Sequence, residues 1–136
     1  MSATKRKLDL RHVRVCDVMH RGIISVPPDT ALSAVADAMA TNRVHAVAIV
    51  RPGDFDTPWK VVSALDVVAA ATGAGDPTAD QIAATEVLTI SSSDRLDHAA
   101  QLMTEHELSH LIVTEASSGH PIGVLSTLDI VTAVAA

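Results

Sequence analysis

The sequence predicts an α/β fold built from two tandem β-α-β-β-α units, and three observations carry that expectation. Sliding the chain by 64 positions lays "DVMHRGIISVPPDTALSAVADAMATNRVHAVAIV" (17–50) on "QIAATEVLTISSSDRLDHAAQLMTEHELSHLIVT" (81–114) without a gap. A shift of 63 then brings Ser63 and Asp66 of "VVSALDVV" onto Ser126 and Asp129 of "GVLSTLDIV". Within each unit, short β-branched runs alternate with stretches of helical apolar spacing. Identities are few, notably Leu32 with Leu96, Ala36 with Ala100 and Met39 with Met103, yet polar and apolar positions correspond along most of the alignment. Such a pattern marks an internal duplication.

Each unit is justified element by element. A short strand ("IISV", "VLTI") meets turn chemistry ("PPDT", "SSSD"), where Thr30 or Asp94 is placed to cap a helix. Leu32, Val35, Ala36 and Met39 give that helix its apolar face in the first unit; Leu96, Ala99, Ala100 and Met103 do so in the second. Next come a β-branched run ("VHAVAIV", "LSHLIV"), a turn-rich hairpin loop, a second strand ("KVVS", "IGVLS") and a closing helix ("ALDVVAAAT", "TLDIVTAVAA"). The expected divisions are a basic, flexible tail over 1–12, one unit over 13–73, a linker over 74–80 ("GAGDPTAD" beginning just before it) and a second unit over 81–136.

Composition bounds what such a chain does. At 136 residues it suits one domain or two halves with a shared core. Its apolar fraction is 48% with only 1% aromatic, so aliphatic side chains and Met must fill the interior. No apolar run approaches the roughly 20 residues that span a bilayer, and "MSATKRKLDLRH" lacks the core of a secretory signal, which places the expected site of action in the cytoplasm, away from membranes. Cys16, the single cysteine, excludes an internal disulfide and multi-cysteine metal sites.

The net charge of -6 is unevenly spread, because Lys5, Arg6, Lys7, Arg11 and Arg14 supply half of the ten basic residues. The remaining body is acidic and should repel nucleic acid, whose affinity comes from Lys and Arg displacing counterions.

The lead-in "DVM", the strand-to-helix turn "ISVPPDTAL", the run "NRVHAVAIV" and the Ser-x-x-Asp after each hairpin together resemble the CBS-domain family over residues 13–136. The resemblance implies two CBS repeats related by a pseudo-twofold axis, a Bateman module that often pairs with a second copy into a flat disc.

The Ser-x-x-Asp motif has two readings. Serine at an N-cap with an acid three residues on forms a capping box, and capping alone accounts for either copy. The same helix start also presents unpaired N–H groups and partial positive charge to a phosphate, while a carboxylate one turn in can accept two hydrogen bonds from neighbouring hydroxyls such as those of a ribose. The resemblance implies the second: Asp66 and Asp129 on ribose, Ser63 and Ser126 on phosphate. It also implies adenine against the first strand of each repeat, near Val26 and Ile90, held by aliphatic packing.

Departures from the family pattern matter too. The glycine expected before the hydrophobic pair stands at 123 but is Lys60 in the first repeat, where a side chain either crowds a ligand or reaches its phosphate. His45 matches the His of a His-Arg pair, with Ala46 in place of Arg; Ser109 and His110 take those places in the second repeat. Beside an apolar strand, His45 and His110 are also read as satisfied, partly buried side chains. Arg95 is the only Lys or Arg in 79–136, so positive charge for a phosphate looks thin and a metal-free triphosphate is disfavoured.

A rival motif is "HELSH" at 106–110, a literal H-E-x-x-H that on one helix face would hold zinc with Glu107 as general base. The repeat argues against it, since His106 aligns with Asn42 at a helix end and His110 with Ala46 in the following strand. No P-loop, dinucleotide fingerprint or G-x-S-x-G is present, and Cys16 has no evident base.

The expectation is therefore a stand-alone, non-enzymatic CBS-pair protein. It would sense an adenine nucleotide or S-adenosylmethionine bound between the repeats, with no required cofactor or metal. Apolar closing helices predict burial in a homodimer, or ordinary packing within one chain. The alternative is a ligand-free scaffold that dimerises or docks a protein partner through the basic tail; separately, the "RPGDFDTPW" loop of Phe55 and Trp59 lies either near the ligand site or on a contact surface.

Overall fold

The computed structural model describes residues 9–51, 53–83 and 85–135, with the backbone alone at 54–57, 59, 85 and 86. Two four-stranded mixed sheets carry the chain. After two 3-10 turns (Leu10–His12 and Val15–Asp17) come β1 (His20–Arg21), β2 (Ser25–Val26), α1 (Leu32–Asn42), β3 (Ala46–Arg51), β4 (Asp54–Ser63) and α2 (Ala64–Ala71). The second half has α3 (Ala79–Ile82), β5 (Thr85–Glu86), β6 (Thr89–Ser91), α4 (Leu96–His106), β7 (His110–Thr114), β8 (Pro121–Ser126) and α5 (Thr127–Ala135).

The sheet orders are β2-β3-β4-β5 and β1-β8-β7-β6. Each repeat's own three strands pair as expected, β2 parallel to β3 and β6 parallel to β7, each followed by an antiparallel hairpin. The fourth strand of each sheet comes from the other repeat: β1 pairs with β8, and β5 with β4. The lead-ins cross over, so each half closes an edge that its partner would otherwise leave exposed.

The same exchange caps the first helices. Thr30 and Asp94 do not cap them, because the N-cap residues are Ala31 and Arg95, neither with a side-chain cap. The Leu32 N–H instead donates to the Pro77 carbonyl at 3.0 Å, and the Leu96 N–H to the Val13 carbonyl at 2.8 Å. Backbone from the opposite lead-in thus takes up donors that a helix start leaves free. Within the segment expected to be a tail, Asp9 caps the first 3-10 turn, and Leu10, with the following Val13, packs on the core of the second repeat.

Period-two alternation divides the strand side chains between three cores. Val47 and Ile49 of β3 join Val26, Val35, Met39 and Val62 beneath the helices of the first sheet. Leu111 and Val113 of β7 join Val15, Leu96, Met103 and Leu125 under those of the second. The opposite faces, with Ala46, Ala48, Val61 and Ile112, meet one another. Alanine at two of these seam positions lets the sheets approach closely.

The hairpin read as a long loop over "RPGDFDTPW" is mostly strand: β4 starts at Asp54, paired with Arg51, and register shifts between Ile49 and Arg51 absorb the extra residues. The side chains of Phe55 and Trp59, and the tail residues 1–8, lie outside the described residues.

Candidate functional site: two cavities of opposite charge

α1 and α4 end alike. The chain turns left-handed at Arg43 (φ 53°) and Glu107 (φ 54°), and the next N–H groups, of Val44 and Leu108, donate back to Met39 and Met103 at 3.0 and 2.9 Å. This is the Schellman arrangement, which normally prefers glycine at the left-handed position. Ordinary side chains held there are uncommon. Both project where a closing helix of the other repeat begins.

The closing helices start with the capping boxes that the motif predicts. The Ser63 N–H donates to Asp66 Oδ2 at 2.9 Å, and the Asp66 N–H to Ser63 Oγ at 3.2 Å. In the second repeat the Ser126 N–H donates to Asp129 Oδ2 at 2.8 Å, and the Asp129 N–H to Ser126 Oγ at 3.1 Å. The boxes differ in their surroundings. Asp129 is only 7% exposed, and its Oδ1 meets His20 Nδ1 at 3.0 Å, an imidazole 79% exposed at the end of the crossed-over lead-in.

A cavity of about 550 Å³ opens there. It is lined by Ser126, Leu128 and Asp129 of the second repeat, by Asn42, Arg43, Val44, His45 and Ala46 at the α1–β3 junction, and by His20 to Ile24 of the lead-in. Its volume falls in the range of small-molecule sites, roughly 300–1,000 Å³. Its counterpart, about 200 Å³, lies between Val61, Ser63, Leu65 and Asp66 on one side and Glu107, Ser109 and His110 on the other. His110 lines both. Burial lowers its pKa, the nearby His45 lowers it further, and Asp129 opposes them. The ring is therefore held towards its neutral form, hydrogen-bonded to Ser109 Oγ at 2.8 Å.

The site residues read from the sequence are sorted by this geometry. Ser126, Asp129, His45 and His110 meet in the larger cavity; Ser63 and Asp66 face the smaller one. Val26 and Ile90 line neither. At 8% and 3% exposure they are core residues, because the alternation that aims Val26 at Val35 and Val47 turns it from the cleft, and Ile23 and Ile24 supply the apolar wall instead. Lys60 also lines neither cavity; its ammonium meets Asp80 Oδ1 at 3.0 Å.

Three further residues line the larger cavity without a sequence signal, His20, Arg21 and Arg43, because they come to the Ser126–Asp129 side from the opposite repeat. The two arginines bring to this cavity the positive charge that 79–136 lacks. The H-E-x-x-H reading fails on geometry: His106 ends α4, Glu107 is the left-handed cap and His110 opens β7, so the imidazoles do not share a helix face.

Two α/β repeats with exchanged edge strands and a cavity at each crossing define a pseudo-symmetric domain pair. The model of the CBS domain matches residues 15–73 and 79–136, and the chain belongs to that family. Among solved structures it is similar to a CBS domain protein from Pyrobaculum aerophilum complexed with AMP, at 26% identity and TM-score 0.76, over 91% of this chain and 100% of that one. An uncharacterized conserved protein from Pyrococcus horikoshii shares the fold at 17% identity and TM-score 0.78, over 93% and 94%. So does a CBS domain pair in complex with 5′-methylthioadenosine and S-adenosyl-L-methionine, at 18% and 0.76, over 88% and 94%. A curated relative, a homoserine O-acetyltransferase from Methanosphaerula palustris, is 27% identical over 122 residues. The match covers 87% of this chain but 23% of that protein, so its acetyl transfer is not carried over. No helix among the described residues is long and apolar enough to cross a membrane.

Proposed function

We propose that the chain is a regulatory module that binds an adenosine-containing ligand in the larger cavity. The observation that carries this reading is the buried Asp129 carboxylate at the start of α5, opening into a cavity of about 550 Å³ between the repeats. The complex of the Pyrobaculum aerophilum relative with AMP supports the ligand class. In the bound state the ribose hydroxyls take the Asp129 carboxylate, the Ser126 end of the helix faces the polar tail, and the base rests against Ile23, Ile24 and Val44.

Binding has a built-in route to a response. Asp129 Oδ1 is engaged by His20, and a ribose hydroxyl that takes this oxygen must displace or share it. His20 opens β1, which ties the first repeat's lead-in to β8 of the second. A ligand that favours one position of β1 shifts the relation of the repeats by its difference in affinity for the two. Titration calorimetry with AMP tests the proposal: saturable heat with one ligand per chain is expected, and its absence with AMP, 5′-methylthioadenosine and S-adenosylmethionine alike defeats it.

The module also acts as a homodimer. Leu65 and Val68 on α2, and Leu128 and Val131 on α5, are 57–76% exposed, two matching apolar faces on the pseudo-symmetric closing helices. Covering them removes apolar area from water at about 25 cal/mol per Å². Sedimentation velocity should show a dimer that Leu65→Glu with Leu128→Glu converts to monomer; a wild-type monomer at tens of micromolar contradicts this.

A further inference from the structure

The two cavities, related by the repeat, are not equivalent in charge. We infer that the larger one selects a phosphorylated adenosine over neutral or cationic adenosyl compounds, and that the smaller one refuses phosphate. This rests on the adenosine reading above and narrows it.

The residues lining the larger cavity include two arginines, Arg21 and Arg43, and one acid, Asp129, whose carboxylate is engaged by His20. His20, His45 and His110 add N–H donors around the same space. The described residues that line the smaller cavity include two acids, Asp66 and Glu107, and no Lys or Arg. The reversal is concentrated at one equivalent position. Arg43 and Glu107 occupy the same left-handed turn, φ 53° and 54°, after α1 and α4. There the backbone fixes where each side chain starts, so one repeat offers a cation and the other an anion to the helix start across from it.

A phosphate at the Ser126 end of α5 gains from the positive end of the helix dipole and from a planar guanidinium suited to its oxygens, although the Ser126, Thr127 and Asp129 N–H groups are already engaged by the capping box and the Ser109 carbonyl. The same phosphate near Ser63 would meet Glu107 and Asp66, and like charges repel. Size acts in the same direction, since about 200 Å³ is below the volume that small-molecule sites usually have. S-adenosylmethionine, whose sulfonium carries positive charge near the ribose, is favoured by neither the guanidiniums nor the volume of the smaller cavity.

The test compares AMP, adenosine and S-adenosylmethionine by calorimetry on the full chain. AMP is expected to bind at least about tenfold more tightly than adenosine, one per chain, with S-adenosylmethionine weaker than AMP. Arg43→Glu should bring the AMP-to-adenosine ratio close to one while adenosine affinity holds, and Arg43→Lys should keep most of it. The glutamate is compatible with the turn, because Glu107 already occupies the same conformation in this chain. Glu107→Gln should leave the ratio unchanged. Adenosine or S-adenosylmethionine equal to AMP, two AMP per chain, or a ratio indifferent to Arg43→Glu overturns the selectivity while leaving the adenosine reading standing. Failure of all three ligands to bind removes both.

Discussion

Gly123→Ala is expected to destabilise the protein by about 2 kcal/mol, a large effect for adding one methyl group, because it acts as overpacking. A Cβ at position 123 would collide with the His20 carbonyl oxygen, with the carbonyl carbon at 3.3 Å and the Arg21 Cα at 3.4 Å. Those atoms are backbone of β1, paired with β8 in the register Arg21↔Gly123, so no side chain can turn aside. The strand must lift from the sheet, and the Lys60 position shows that a side chain itself is not forbidden in such a hairpin: Lys60 pairs with Glu86 of β5 and reaches Asp80. Urea unfolding gives the readout, as a lower midpoint with an unchanged slope. A midpoint equal to wild type would mean that β1 does not lie so close over Gly123.

Asp129→Ala is expected to weaken AMP binding at least roughly 100-fold, whereas Asp66→Ala should leave it within about threefold. Hydrogen bonds to a charged group contribute about 1.5–3 kcal/mol each, and a ribose diol makes two with Asp129. Asp66 supports the same capping geometry but faces the smaller cavity. Both variants lose a capping box, costing about 1 kcal/mol of stability, so their comparison separates binding from folding. Calorimetry reads the affinities and thermal melts confirm the fold. Equal losses in the two variants would contradict the assignment of the ligand to the larger cavity.

Local chemistry was readable in the chain because it depends on near neighbours. Helical spacing at Val35 and Met39, and at Ala99 and Met103, marked buried faces, and Ser63–Asp66 and Ser126–Asp129 form the capping boxes their spacing requires. What could not be read is what the exchange of lead-ins decides. Two-residue β1 and β5 have no periodicity to detect, and their partners lie in the other repeat. That exchange lays the β1 backbone over Gly123 too closely for a Cβ, whereas Lys60, paired with β5 in the same way, turns its side chain to Asp80. It also explains how His20 reaches Asp129 and Arg21 lines the same cavity, and why the positive charge missing from 79–136 is supplied by the first half. Val26 and Ile90 line neither cavity for a simpler reason: each strand has two faces, and the β-branched run alone does not say which one meets the cleft.

The most direct measurement is a crystal structure of the protein grown with AMP. The ribose should lie on the Asp129 carboxylate, with the phosphate beside Arg43 and Ser126, His20 shifted from Oδ1, and the cavity at Asp66 without nucleotide. Nucleotide seated at Asp66 and Glu107 instead, or a saturated crystal with the Asp129 cavity still empty, would contradict the account.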